Sequence, residues 1–198
     1  MAARKLHLSG DRGADALLSK DPLALLIGMV LDQQIPLERA FAAPAELARR
    51  LGGAYDATSL AAMDPDELGA VFAARPALHR FPGSMAARVQ ALCVVVVDQY
   101  GGDASRVWRD APDGKALLVA VKALPGFGEQ KARIFVALLG KQLGVRPKGW
   151  EQASSPFGDP GSFRSIADIV DPESLAGVRA FKQQMKAAAK VGTPASKK

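Results

Sequence analysis

Leu124-Pro125-Gly126-Phe127-Gly128-Glu129-Gln130-Lys131-Ala132 is the stretch on which the reading of this chain turns. Pro125 stiffens a turn, while Gly126 and Gly128 read as positions free to take positive φ and to leave the main chain unobstructed. Phe127, between them, is placed to pack the turn from inside. Apolar residues recur at helical spacing on both sides, so the stretch is expected to join two helices in a hairpin over 114–143. The first N–H groups of the second helix lack intrahelical acceptors and lie at its positive end, where they can seat a phosphate oxygen. Two glycines also suit an ordinary helix–helix turn, so the rest of the chain has to decide.

Upstream, Asp21 is placed to cap and Pro22 to open a helix read as running to Gln34, with Leu23, Leu26, Ile27, Val30 and Leu31 on its buried side. It follows a first helix over 13–19. Pro36 opens the next helix, 37–51, closed by Gly52-Gly53, and Asp64-Pro65-Asp66-Glu67 starts a short one to Ala74. A loop over 75–82 leads to Ser84 and a long helix, 85–100. Its centre, Leu92 to Val97, is apolar on every side and is expected at the heart of the fold. Cys93 to Val97 alone would pass as a buried strand; the preceding 85–92 favours helix. Asp113 starts a helix to Ala123, and Glu129 starts one to Leu143. The Pro-, Gly- and Ser-rich 144–164 reads as a long ordered loop, Asp171-Pro172-Glu173 starts a last helix to Lys190, and 191–198 reads as a disordered basic tail. The sum is an all-α protein, a single two-lobed domain over 1–190 in which the N- and C-terminal helices form the second lobe.

The 198 residues include 26 Lys and Arg against 20 Asp and Glu, a formal charge of +6 that biases the protein towards polyanions. The single cysteine, Cys93, excludes an internal disulfide or a Cys-ligated cluster and points to a reducing compartment, read as the cytoplasm. His7 and His79 fit no ligand pattern. No apolar run is long enough to span a membrane.

The hairpin, Leu-Pro-Gly-hydrophobic-Gly followed by a helix with Ala132 on its inward side, resembles the signature of the helix-hairpin-helix (HhH-GPD) base-excision-repair DNA glycosylase superfamily. Asp21 to Pro36, with Asp32-Gln33-Gln34 at its end, is similar to the helix that carries a Gln-Gln or Ser-x-Gln element at the mouth of the base pocket in that superfamily. Together they cover Asp21 to Lys190 and look like an actinobacterial-type branch without the iron–sulfur cluster. The resemblance implies damaged double-stranded DNA as partner, a monomer, a nucleoid-associated location and no required cofactor; the one ion it allows is a monovalent cation at the hairpin backbone. It implies DNA contacts from Pro125, Gly126, Phe127, Gly128, Gln130 and Lys131, with Arg133 and Lys141 nearby, and a base pocket at Asp32, Gln33 and Gln34. The amide of a glutamine there can fill the gap beside an extruded base. Asp32 departs from the superfamily, which has a small or apolar residue at that place.

Two further departures bear on chemistry. The superfamily places a catalytic Asp about two dozen residues after the hairpin leucine, to stabilise positive charge on the sugar. Here that position falls at Pro147-Lys148-Gly149, and the candidate acids are Asp159, in a Gly-Asp-Pro-Gly turn, then Glu151; Asp168 reads as a helix-end residue. Bifunctional members carry a Schiff-base lysine two residues after the second hairpin glycine, where this chain has Gln130. Lys131 lies about 100° further round the helix and reads as a phosphate contact, so the expected activity is monofunctional. The loop with His79, Arg80 and Phe81 is a candidate for entering DNA. The readings left open are a monofunctional DNA N-glycosylase with Asp159 as its acid, a non-catalytic DNA-damage-binding protein, and a helical domain that uses the hairpin for packing alone.

Overall fold

The computed structural model of the chain describes residues 5–191, and among them no strand is present. Among the described residues eleven α-helices follow one another: α1 (Arg12–Lys20), α2 (Pro22–Leu31), α3 (Leu37–Arg50), α4 (Ala57–Ala62), α5 (Pro65–Ala73), α6 (Pro82–Tyr100), α7 (Arg106–Arg109), α8 (Gly114–Lys122), α9 (Glu129–Leu138), α10 (Trp150–Ser154) and α11 (Pro172–Val191). A π-helical turn, Leu139–Leu143, continues α9, and a 3-10 turn, Ile166–Asp168, precedes α11. Helices α1 to α3 pack on one another, α4 and α5 pack on α6, and α2 also meets α6; α8, α9 and α10 form a second group, the 3-10 turn lies against α9, and α11 packs on that turn. Apart from Val191, which closes α11, the tail expected over 191–198 lies outside the described residues.

The caps explain most helix starts. Asp21 accepts from the N–H groups of Leu23 and Ala24 ahead of Pro22, Asp64 accepts from those of Asp66 and Glu67, and Asp113 accepts from that of Ala116. The unanticipated α4 has a reciprocal box between Asp56 and Ser59. The helix buried all round is α2, every residue of which from Leu23 to Leu31 is buried. The long α6, expected in that role, instead buries one face, with Met85, Ala86, Val89, Leu92, Cys93 and Val96 inside and Val94 exposed. Each Leu, Ile or Val buried along α2 contributes roughly 1.5–3 kcal/mol, which fixes the position of the helix end that carries Asp32.

The reach of α2 also differs from expectation: it stops at Leu31, with Asp32 as C-cap. Pro36 disfavours helical backbone at Ile35, and the Gln33 side chain turns back to donate to the Val30 carbonyl at 2.8 Å, replacing the bond that another turn would have made. The supposed loop 144–164 is largely a strap. It contains α10, which packs on α8 and α9, and its Trp150 ring covers Gly140 so closely that a Cβ there would lie 2.2 Å from the ring. This region braces the back of the hairpin.

Candidate functional site

The hairpin joins α8 and α9 as expected, but its two glycines do different work. Gly126 has φ +88, and a Cβ there would meet Arg88 and Val30 at 3.0 and 3.2 Å. Gly128 has φ −81 and ψ 174, extended backbone open to any residue, so the expectation of positive φ is corrected for this position. Nothing lies within 4 Å of a Cβ built there, leaving the α9 N-terminus bare. No side chain caps α9, and the N–H groups of Gly128, Glu129, Gln130 and Lys131 meet no acceptor among the described residues. Phe127 is buried edge-on against Phe135, with ring centroids 5.6 Å apart, and Pro125 is half-buried. The carbonyls of Pro125, Gly126 and Phe127 accept no hydrogen bond among the described residues. Such hard oxygen donors fit a monovalent cation, which when bound would add positive charge beneath a phosphate.

The three cations expected to reach phosphates are engaged within the chain. Lys131 turns inward and donates to the carbonyls of Met29 at 2.6 Å and Val30 at 3.4 Å, the negative end of α2. Arg133 pairs with Glu129 at 2.8 Å and donates to the Ser155 carbonyl, while Lys141 pairs with Asp168 at 2.6 Å. What the hairpin offers a backbone phosphate is therefore main-chain N–H rather than these side chains.

Beside the bare helix start lies a cleft of about 480 Å³, lined by Met29, Ile134 and Ile166, by the polar Gln130 and Ser165, and by the charged Asp32, Glu129, Lys131 and Lys182, with Gly128 at its edge. Glu129 is occupied by Lys122 and Arg133, which hold its carboxyl below the usual range. Asp32 accepts no hydrogen bond and forms no ion pair among the described residues. Burial pushes its carboxyl above the ordinary value, and the charges of Lys182 and Lys131 act against that rise. Burial pushes the Lys131 amine down, opposed by Asp32 and aided by Arg88.

The other expected base-pocket residues separate from Asp32. Gln33 is committed: its amide nitrogen donates to Val30 and to the Met85 sulfur, and its oxygen accepts from Arg88 at 3.2 Å. Gln34 is exposed and has φ +56, the sole non-glycine with positive φ among the described residues. Strain of that kind costs about 1–3 kcal/mol and is held here by the bonds to either side.

Buried His79 joins this turn to the neighbouring loop. Its Nε2 lies 2.8 Å from the Gln33 carbonyl, which can only accept, and its Nδ1 accepts from the Phe81 N–H at 3.0 Å, so the neutral Nε2–H tautomer satisfies both. Phe81 is 43 % exposed with the Arg80 guanidinium 4.7 Å over its ring. Beneath it, Arg50 donates to the carbonyls of Val71, Ala74 and Pro76 and fixes the loop.

Asp159 does not line this cleft; its carbonyl accepts from Lys141 at 2.8 Å on the strap side. Asp168 is used up, accepting from Lys141, from Ser162 Oγ and from the N–H groups of Arg164 and Ser165. Glu151 lies exposed on α10. Sequence reasoning missed Lys182, Arg88 and Ser165, which reach the site from α11, α6 and the 3-10 turn with no local signal. Asp32 did carry one: an acid ending an unbroken apolar helix, where the helix dipole favours a cation.

Among the described residues no group of three His, Cys, Asp or Glu side chains could hold a metal ion, and no helix is long and apolar enough to cross a membrane. A family profile described as HhH-GPD superfamily base excision DNA repair protein matches residues 27–191, a span that takes in Asp32, the hairpin and α11. No curated protein matches the chain.

Proposed function

We propose, because the chain belongs to the HhH-GPD superfamily of base excision DNA repair proteins, that it is a monofunctional DNA N-glycosylase acting on a damaged base flipped out of a duplex. The observation that carries this reading is the pairing of a bare α9 N-terminus with the adjoining charged cleft. A phosphate held by the hairpin N–H groups would set the register of the backbone, and the neighbouring extruded nucleotide would enter between Asp32, Lys131 and Lys182. The exposed Gln34 amide and the Phe81 ring, joined through His79, are suited to fill the gap left in the stack. Gln130 stands where the superfamily's bifunctional members carry their Schiff-base lysine, which supports a reaction that ends with an abasic strand.

The test is a panel of duplexes carrying uracil, alkylated purines, oxidised purines and mismatches. Base release is expected from at least one, with strand breakage only after alkali and no covalent complex trapped by borohydride. Affinity for duplex should fall with salt through the net charge of +6, with the main-chain contacts of the hairpin adding little to that slope. Strand cleavage without alkali would contradict the monofunctional assignment. Tight binding with release from none would move the chain to a non-catalytic DNA-damage-binding role, the reading that the acid-free Pro147-Lys148-Gly149 favours.

A further inference from the structure

We propose that Asp32, at the end of α2, is the carboxylate that stabilises the cationic sugar in this chain, in place of an acid supplied from the segment after the hairpin. The reaction rests on the glycosylase reading above; the choice of residue rests on the cleft. Three other acids near the hairpin are disqualified by what they touch or where they lie. Glu129 is held by Lys122 and Arg133, Asp168 by four donors, and Asp159 lies outside the lining. Asp32 lines the cleft and keeps both oxygens free of protein donors among the described residues.

Its placement is costly for a purely structural residue. Burial disfavours its charge, and the C-terminal end of α2 presents negative carbonyls to it. The fold compensates with Lys131, whose ammonium is fixed on the Met29 and Val30 carbonyls, and with Lys182 across the cleft. Both cations favour the carboxylate form against the burial that disfavours it, and no protein hydrogen bond among the described residues consumes it. A developing oxocarbenium ion is the kind of partner such a group can attract.

The C1′–N bond breaks and its electron pair leaves with the base nitrogen, which takes a proton from solvent. A water oxygen bonds to C1′, and the proton it loses passes to the Asp32 carboxylate and on to solvent. Lys131 is a positioning residue, acting through the charge state of Asp32.

The test uses the full chain and two abasic duplexes, one with a cationic pyrrolidine in place of the sugar and one with neutral tetrahydrofuran. Wild type should bind the cationic duplex about tenfold or more tighter, the scale of one partly desolvated charge pair. Asp32→Asn should bring the ratio to about one with affinity for the neutral duplex kept, Asp32→Glu should retain part of the preference, and Asp159→Asn should leave it intact. A wild type without preference, or an Asp32→Asn variant that keeps it, overturns the proposal; loss in Asp159→Asn alone returns the role to the loop. An Asp32-dependent preference without base release from any duplex would sink the hydrolysis reading while upholding Asp32 at the sugar.

Discussion

Asp32 and Asp168 both stand at the end of a helical turn beside the hairpin, and the fold treats them in opposite ways. Asp168 is 5 % exposed, paired with Lys141 and bonded to Ser162 and to two backbone N–H groups; every lone pair it can offer is committed to holding the 3-10 turn on the hairpin. Asp32 has a comparable setting and two lysines near it, yet touches no donor among the described residues and opens on a cleft. A carboxylate whose hydrogen bonds are all made is a fastener, whereas one left without a protein donor beside a bare helix start is open to a partner from outside the chain.

The largest effect should come from the fastener. Asp168→Asn removes the negative charge of the Asp168–Lys141 pair and puts an amide donor where a carboxylate oxygen accepted, and it should cost about 3–5 kcal/mol in urea unfolding. Gly140→Ala drives a methyl into the Trp150 ring and should cost about 1–3 kcal/mol or more, because the strap cannot move without opening the back of the hairpin. Either variant at wild-type stability would remove the distinction between the two faces.

Gly128→Val should act on the other face. Its backbone is extended and the space around it empty, so the fold should lose no more than about 1 kcal/mol, the scale of an aliphatic residue replacing Gly at an N-cap, while the branched side chain obstructs the phosphate approach. Duplex affinity should drop by roughly tenfold or more, read by fluorescence anisotropy; a well-folded variant that binds normally would take the hairpin out of the site.

Lys131→Met sharpens the account of Asp32. Removing a positive charge that acts against the rise in the Asp32 carboxyl should push that carboxyl further up, with Lys182 as the remaining cation facing it in the cleft. The acid limb of the base-release profile should then move to higher pH. An unmoved limb would mean that Lys131 does not act through Asp32.

The hairpin and the caps at Asp21, Asp64 and Asp113 were readable because each is a local pattern with a local cause. The short α4, α7 and α10 were not, since four to six residues carry too little periodicity to stand out, and α10 is held by Trp150 against Gly114 and Gly140, outside its own segment. Lys131 shows the same limit at the site. Helical geometry placed it on a different side from Gln130, but that this side faces the α2 carbonyls rather than solvent depends on how two distant helices pack. Asp159 was the natural candidate in a chain read linearly; that Asp32 lines the cleft and Asp159 does not depends on how distant elements of the chain meet there.

The most direct measurement compares Asp32→Asn and Asp168→Asn side by side, each scored for urea stability and for base release per folded molecule. A carboxyl raised by burial loses stability for the fold as pH climbs from its ordinary value through the raised one, so Asp32→Asn at neutral pH should be at least as stable as wild type. It should also release base at least about a hundredfold more slowly, the scale of one lost electrostatic group. Asp168→Asn should be markedly less stable with release per folded molecule close to wild type. The reverse pattern, an active Asp32→Asn beside a stable but inactive Asp168→Asn, would contradict the assignment of the cleft.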